Sequence, residues 1–419
     1  MLPDITFATR PATAPDDLLA APLGPDPLVW LRRGEGFVGL GEAARFETAG
    51  PDRFHAAEAW WRAVLNRAAF AGPAEQPAVG PRAFGSFAFA DSSSAPSVLV
   101  VPRLLMARHR GRQWITTATA GGSPASDAVD DAVPPAPLPR LAEAPGPVSA
   151  ADWPEVVGRA MALIAAGAID KVVLARSVVA RAAAGGIDSR PVLDFLAHRY
   201  RDTWTFAVDG LIGATPELLI RSSRGLVTSR VLAGTIQRSG SDHANLARAA
   251  ALARSSKDLE EHEFAVASVV AALEPFVEEL AVPEVPSVLH LPNVMHLATD
   301  VVGELKRTPS GRTPGVLALA AALHPSAAVC GTPAAAAADV IGRLEGQDRG
   351  RYSGPVGWID ANGDGEWGIA LRCAQLSPDR RAARLWAGGG IVAASDPEAE
   401  LAETEAKLAP MRQALGLSR

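Results

Sequence analysis

The chain has 419 residues, 48% hydrophobic and 21% charged, with a formal charge of −6, which is the composition of a globular protein of one large unit or a few ordinary domains. That balance excludes a nucleic-acid binder whose affinity rests on a basic surface, and leaves room for a small anionic substrate held by a few local cations. The two cysteines, Cys330 and Cys373, form neither a CxxC pair nor a zinc-spaced cluster with His, the N-terminus carries no apolar signal-peptide core, and no apolar run approaches a membrane span, so the sequence predicts a cytoplasmic protein with no membrane contact.

In chain order, short runs with β character come first: PLVWLRR, GFVGLGEAARFE, GSFAFA, SVLVVPRLLMARH and QWITTA. Among them, RFHAAEAWWRAVLNRAAF has helical spacing. Residues 1–120 read as a β-rich part of the same fold unit as the rest. Residues 121–150 are rich in Pro, Ala, Ser and Asp and read as a surface connector. Asp152-Trp153-Pro154 then opens a helix that ends at Gly167, and DKVVLARSVVARA follows as a strand. Further strands are predicted over TWTFAVDGLIGATPELLIRSS, GLVTSRVLAGTI, GPVGWIDANGDGEWGIALRCAQL and ARLWAGGGIVAASD. Helices are predicted over DLEEHEFAVASVVAALEPF, TPGVLALAAALH, PAAAAADVIGRLE and PEAELAETEAKLAPMRQAL. Strands joined by short turns imply mostly antiparallel sheet, so 151–419 reads as α+β.

Two motifs mislead. Asp360, Asn362, Asp364 and Gly365 match the opening of a calcium loop, but position 12 is Leu371 rather than Glu and both flanks are strand-like. Asn362-Gly363 and Asp364-Gly365 are turn chemistry, so the segment is predicted as a hairpin whose second strand carries Arg372. Gly34, Gly36 and Gly39 match G-x-G-x-x-G, yet no helix opens there, and a glycine-rich hairpin is the simpler reading.

Several residues carry chemical potential. Asp258 and Glu261 share one predicted helix face, and Glu400, Glu403 and Lys407 share another. Spacing leaves two readings open: solvated faces, or hard oxygen ligands for Mg²⁺. Gly388-Gly389-Gly390 is either an anion-binding backbone turn or a place of close backbone approach. Lys171 opens an apolar strand and is either solvent-directed or a buried base. Glu217 follows Pro216 between apolar runs, where a carboxylate needs a task or a partner.

Taken together, DKVVLAR, GATPELLI, RVLAGTIQR, SSKDLEEHEFAV, LPNVMHLATDV, LHPSAAVCGTP, RGRYSGPVGWIDANGDGEWGIALRCAQL and AGGGIVAASDPEAELAETEAKL resemble, in order over about 155–410, the chorismate-utilising enzymes. That family includes isochorismate, salicylate and anthranilate synthases and the aminodeoxychorismate synthases. The region before about 145 is only loosely similar. The resemblance implies an α+β fold of large, mostly antiparallel sheets packed as a sandwich with helices outside. It implies a water-adding member, because Lys171 stands where ammonia-using members carry Gln and Ala233 stands where the aminodeoxychorismate enzymes carry a nucleophilic Lys. GDGEWGIALRCA and HPSAAVCGTP are more similar to isochorismate synthases, with salicylate synthase as the alternative.

The roles implied by the resemblance fall on matching positions. Lys171 would activate a water for attack on C2 of chorismate, and Glu217 would protonate the C4 hydroxyl as it leaves. Glu261 and Glu403 would hold Mg²⁺, with Asp258 and Glu400 nearby; Asp258 replaces a Glu common in some relatives. Tyr352, Arg372, Lys407 and the Gly388, Gly389 and Gly390 amides would grip the substrate carboxylates. Gly234 and Thr235 would line the ring, with His296 near the reacting face. The resemblance also implies a monomer whose product feeds menaquinone or siderophore synthesis.

Overall fold

The computed structural model describes residues 3–12, 17–21, 23–73, 79–120, 134–307 and 313–417. Among these, the strands form two large sheets, one of thirteen strands and one of ten. All pairings are antiparallel except that of Ile5–Pro11 with Ala69–Ala71. No helix among the described residues is long and apolar enough to cross a membrane.

The sheets pack face to face because their strands alternate. On Leu28–Arg32 of the larger sheet, Trp30 enters a core shared with Phe84, Val98 and Val356 of the smaller sheet. Its neighbours Val29 and Leu31 point the other way, onto Leu193, Leu196, Leu408 and Met411 of two outer helices. The far side of the smaller sheet is covered by helices through Phe54, Trp61, Ala265, Val269, Leu317 and Leu319. Helices therefore lie outside a two-sheet sandwich.

Strands from the first 120 residues complete both sheets. Leu28–Arg32 pairs with Trp204–Val208 in the larger, and Arg82–Ser86 with Pro355–Asp360 in the smaller. A buried carboxylate joins these parts: Glu366 accepts from the indole N–H of Trp30 at 3.0 Å and from that of Trp204, and pairs with Arg221.

Two expectations need correction, and one helix goes unpredicted. Residues 121–133 of the predicted connector lie outside the described residues, but Leu141–Pro145 forms an edge strand paired with Lys171–Ala182. Backbone pairing on an open edge asks for no apolar side chains, so composition hid it. The helix Asp242–Leu252, capped by Ser241, escapes the apolar-period reading because only Asn245 and Leu252 are buried. The predicted hairpin Pro355–Asp360/Gly365–Ile369 forms, with Asp360 Oδ1 accepting from the amides of Asn362 at 2.8 Å and Asp364 at 3.0 Å. Its second strand stops at Ile369, however, and Arg372 lies beyond it with φ +49°. There the chain leaves the smaller sheet and enters the larger at Cys373–Leu376. Arg372 thus marks the crossover between sheets and is not a strand residue.

Candidate active site

Lys171 opens the long strand Lys171–Ala182 and is fully buried. Its Nζ lies 3.3 Å from the Glu261 carbonyl and 3.5 Å from Glu261 Oε1. Burial lowers its pKa below the ordinary lysine value, against the pull of Glu261 and Glu217. The neighbouring strand Ala382–Ile391 sets Gly390, Gly389 and Gly388 opposite Val173, Leu174 and Ala175. These glycines provide close approach. A Cβ on Gly390 would stand 2.1 Å from Glu261 Oε1, and one on Gly389 would stand 2.7 Å from Glu400 Oε2 and 3.6 Å from Glu403 Oε1.

The helix Pro397–Ala414 brings Glu400, Glu403 and Lys407 to this ladder. Lys407 Nζ donates to the Gly388 carbonyl at 2.8 Å and to Glu403. Glu400 is buried; its Oε1 accepts from Lys257 Nζ at 2.6 Å and from Ser395 Oγ at 2.9 Å. Burial and the Glu403 charge raise its pKa. Sequence reasoning missed Lys257, which reads as one more charge in SSKDLEEHEF; its signal is the four-residue spacing to Glu261 on the helix Ser256–Leu273.

Glu217 is buried across the cleft, just before the strand Leu218–Ser223. Burial pushes its carboxyl up to about 8, opposed by the Leu232 amide and the charges of Lys171, Lys407 and Arg372. Leu232 belongs to Leu226–Gln237, which bulges against Val294–Leu305 between Ala233 and Thr235. Gly234 takes φ +74° at that bulge, with Asp258 packed against it. The bulge aims its groups at His296: Nδ1 of the ring is 3.1 Å from Thr235 Oγ1 and 3.4 Å from the Gly234 carbonyl. Arg372 Nη2 donates to the other ring nitrogen at 3.1 Å. A neutral ring whose Nδ1 carries the hydrogen satisfies all three contacts, and burial and the Arg372 charge hold the His296 pKa well below its ordinary value. Tyr352 is buried and stacks on Trp386 at 5.5 Å and 5°, and burial pushes its phenol up to about 12.

The structure therefore brings Lys171, Glu217, Glu261, Glu400, Glu403, Lys407, Arg372, His296, Thr235 and the glycines into one continuous site. Asp258 sits at the bulge, beside Gly234. The carboxylates offer hard oxygens suited to Mg²⁺, and Glu400 Oε2 is buried with no hydrogen-bond partner, so the donor set fits a cation. Among the described residues, the one trio of His or carboxylate ligand atoms within 4.8 Å of one another is Asp17, Asp194 and His198, at the surface. Glu261, Glu400 and Glu403 are each paired with a lysine, Lys171, Lys257 and Lys407.

A family model described as chorismate binding enzyme matches residues 29–416. The salicylate biosynthesis isochorismate synthase of Pseudomonas aeruginosa is 34% identical over 421 residues, covering 93% of this chain and 84% of that protein. The isochorismate synthase DhbC of Bacillus subtilis is 41% identical over 277 residues, 64% of this chain and 68% of that one. Among solved structures, the menaquinone-specific isochorismate synthase MenF from Escherichia coli superposes with a TM-score of 0.80 at 26% identity, covering 99% of this chain and 95% of its own. With the sandwich, the buried lysine and the carboxylate pair of helices in place, and a match spanning nearly the whole chain, the protein belongs to the chorismate-binding enzyme family.

Proposed function

We propose that the protein is an isochorismate synthase, interconverting chorismate and isochorismate. The observation that carries this reading is a buried lysine and a buried, proton-holding glutamate in one cleft, Lys171 and Glu217. Relatives that share this fold are named isochorismate synthases, and an ammonia-using chemistry has no call for a buried general base that activates water.

In the forward direction Lys171, whose burial favours the neutral form, takes a proton from a water that attacks C2 of the ring. The double bonds shift, the C4–oxygen bond breaks, and Glu217 delivers its proton to the departing hydroxyl. One water enters and one leaves, so the net change is an isomerisation. The proton on Lys171 returns to Glu217 through solvent, and the reverse reaction exchanges the roles. Arg372 and Lys407 supply the cations for the substrate carboxylates. Neutral His296, fixed by Thr235 and Arg372, faces the ring without adding a charge. Glu261, Glu400 and Glu403, with Asp258 beside them, would hold Mg²⁺, which screens and orients the ring carboxylate when bound.

Purified protein given chorismate and Mg²⁺ is expected to form isochorismate that levels off beside remaining chorismate. Lys171→Ala and Glu217→Gln should each cut turnover by roughly 10²–10⁴-fold while leaving the fold intact by circular dichroism. Near-normal rates in either variant would remove that residue from its role. Salicylate together with pyruvate as the main products would replace the reading with a salicylate synthase.

A further inference from the structure

The strand that carries Lys171 is paired unevenly. Along one edge it pairs with Ala382–Ile391 from Val172 to Arg181. Along the other, backbone pairing reaches in only from the ends: Gly331–Thr332 pairs with Lys171 and Val172 and the Val173 amide donates to the Cys330 carbonyl at 2.7 Å, while Leu141–Pro145 pairs from Val178 to Ala182 and the Gly146 amide donates to the Ser177 carbonyl at 2.8 Å. That leaves the Val173 carbonyl and the Ala175 amide in the molecular interior without a strand partner, where backbone polar groups need one.

A buried ion pair meets both. Glu345 Oε1 accepts from the Ala175 amide at 2.7 Å. Arg349 Nη2 donates to the Val173 carbonyl at 2.7 Å, and its Nη1 donates to the Val329 carbonyl at 2.8 Å. The two side chains are joined by Nε–Oε2 at 3.0 Å and Nη2–Oε1 at 2.5 Å. Between them in sequence, Gln347 Oε1 accepts from Ser177 Oγ at 2.7 Å. Segment 345–349 thus does with side chains what a missing strand would do with backbone. Glu345 is 0% and Arg349 2% exposed. A buried pair of this kind is a weak source of stability compared with apolar packing, so its placement calls for another reason.

The register gives one. Val173, held by Arg349, lies two residues past Lys171 and opposite Gly390, on which Glu261 rests. Ala175, held by Glu345, lies opposite Gly388, whose carbonyl binds Lys407. A shift of this strand would move the base and the carboxylate bed together.

We propose that Glu345 and Arg349 are positioning residues for the reaction: a buried pair that stands in for a strand and fixes Lys171 against the glycine ladder. The inference rests on the reading of Lys171 as the base. Neither residue lies among the groups assigned to the substrate.

Two variants test it. Arg349→Lys keeps a charge opposite Glu345 but cannot bond two carbonyls and a carboxylate in one plane. The double variant Glu345→Leu/Arg349→Met removes every bond of the pair and refills its volume with apolar atoms. Both are expected to lower kcat roughly 10–100-fold, with KM within about twofold, and to speed hydrogen exchange of the Ala175 amide relative to amides at the Arg181 end of the strand. Wild-type kcat in a folded double variant would overturn the proposal. If the double variant does not fold, Arg349→Lys decides by the same split: unchanged kcat and unchanged Ala175 exchange would overturn it. A wild-type protein that leaves chorismate unconverted would overturn the proposed function instead, while Ala175 exchange in Arg349→Lys still decides whether the pair holds the strand.

Discussion

Burial and charge pull in opposite directions at Lys171 and Glu217. Removal from water favours the uncharged form of each, and their mutual attraction favours the charged forms. Burial is the larger influence at both, which leaves a base and an acid facing one cleft without neutralising each other. For Glu217 the value of about 8 has two consequences. Turnover should fall as pH rises through about 8, because the acid that protonates the leaving hydroxyl is lost. The groups facing it are Lys171, Lys407 and Arg372 with the Leu232 amide, all of which pull its pKa down against burial. Stability follows the same sign. The folded state keeps the proton that the unfolded chain releases near an ordinary glutamate value. The contribution is therefore present below that value and lost as pH rises through about 8. Melting curves of wild type and Glu217→Gln should diverge over that interval, with the variant gaining on wild type, and run parallel above it. A rate profile flat to pH 9, about one unit past the transition, would contradict the assignment.

At the scale of elements, the site depends on places where regular structure gives way. The bulge at Ala233–Thr235 turns backbone groups towards His296 and Glu217, and the left-handed backbone of Arg372 redirects the chain from one sheet to the other. The glycine ladder lets two helices press carboxylates against a strand. Gly390→Ala should move Glu261 more than it unfolds the protein, since a Cβ would stand 2.1 Å from a flexible carboxylate oxygen and 3.1 Å from Lys171 Cε. The response of the melting temperature to Mg²⁺ should weaken, corresponding to about tenfold or more in affinity, with little change in the metal-free melt. An unaltered Mg²⁺ titration would place the cation away from Glu261. Hairpins and amphipathic helices were legible in the sequence because period and turn chemistry agree, as at Asn362-Gly363. Arg372 was legible as a functional cation but not as a crossover, since nothing local announces a left-handed arginine. Nothing in the sequence singles out Glu345 and Arg349; only the gap in the neighbouring strand pairing reveals their task.

For the molecule as a whole, the motifs that carry the resemblance lie after residue 155, yet the family match begins at residue 29 and earlier strands extend both sheets. In both sheets the strands from before residue 121 form one end, joined to the later strands at Leu28–Arg32 and Arg82–Ser86, and the Trp30–Glu366–Trp204 contact ties the parts together. The sequence order therefore says less about foldable units than the pairing does. A fragment of residues 134–419 would expose the open edges of Trp204–Val208 and Pro355–Asp360, and is expected to aggregate or to melt without cooperativity. A soluble fragment with a sharp thermal transition would show that the earlier strands are dispensable.

The central claim is that water, activated at Lys171, becomes the new hydroxyl at C2. Running the reaction in ¹⁸O-labelled water and weighing the product by mass spectrometry tests it most directly. The account predicts isochorismate carrying one solvent oxygen at C2 in wild type, with no labelled product above background in Lys171→Ala. Unlabelled isochorismate from the wild-type protein would mean that the hydroxyl moves within the substrate, and would contradict the role given to the buried lysine.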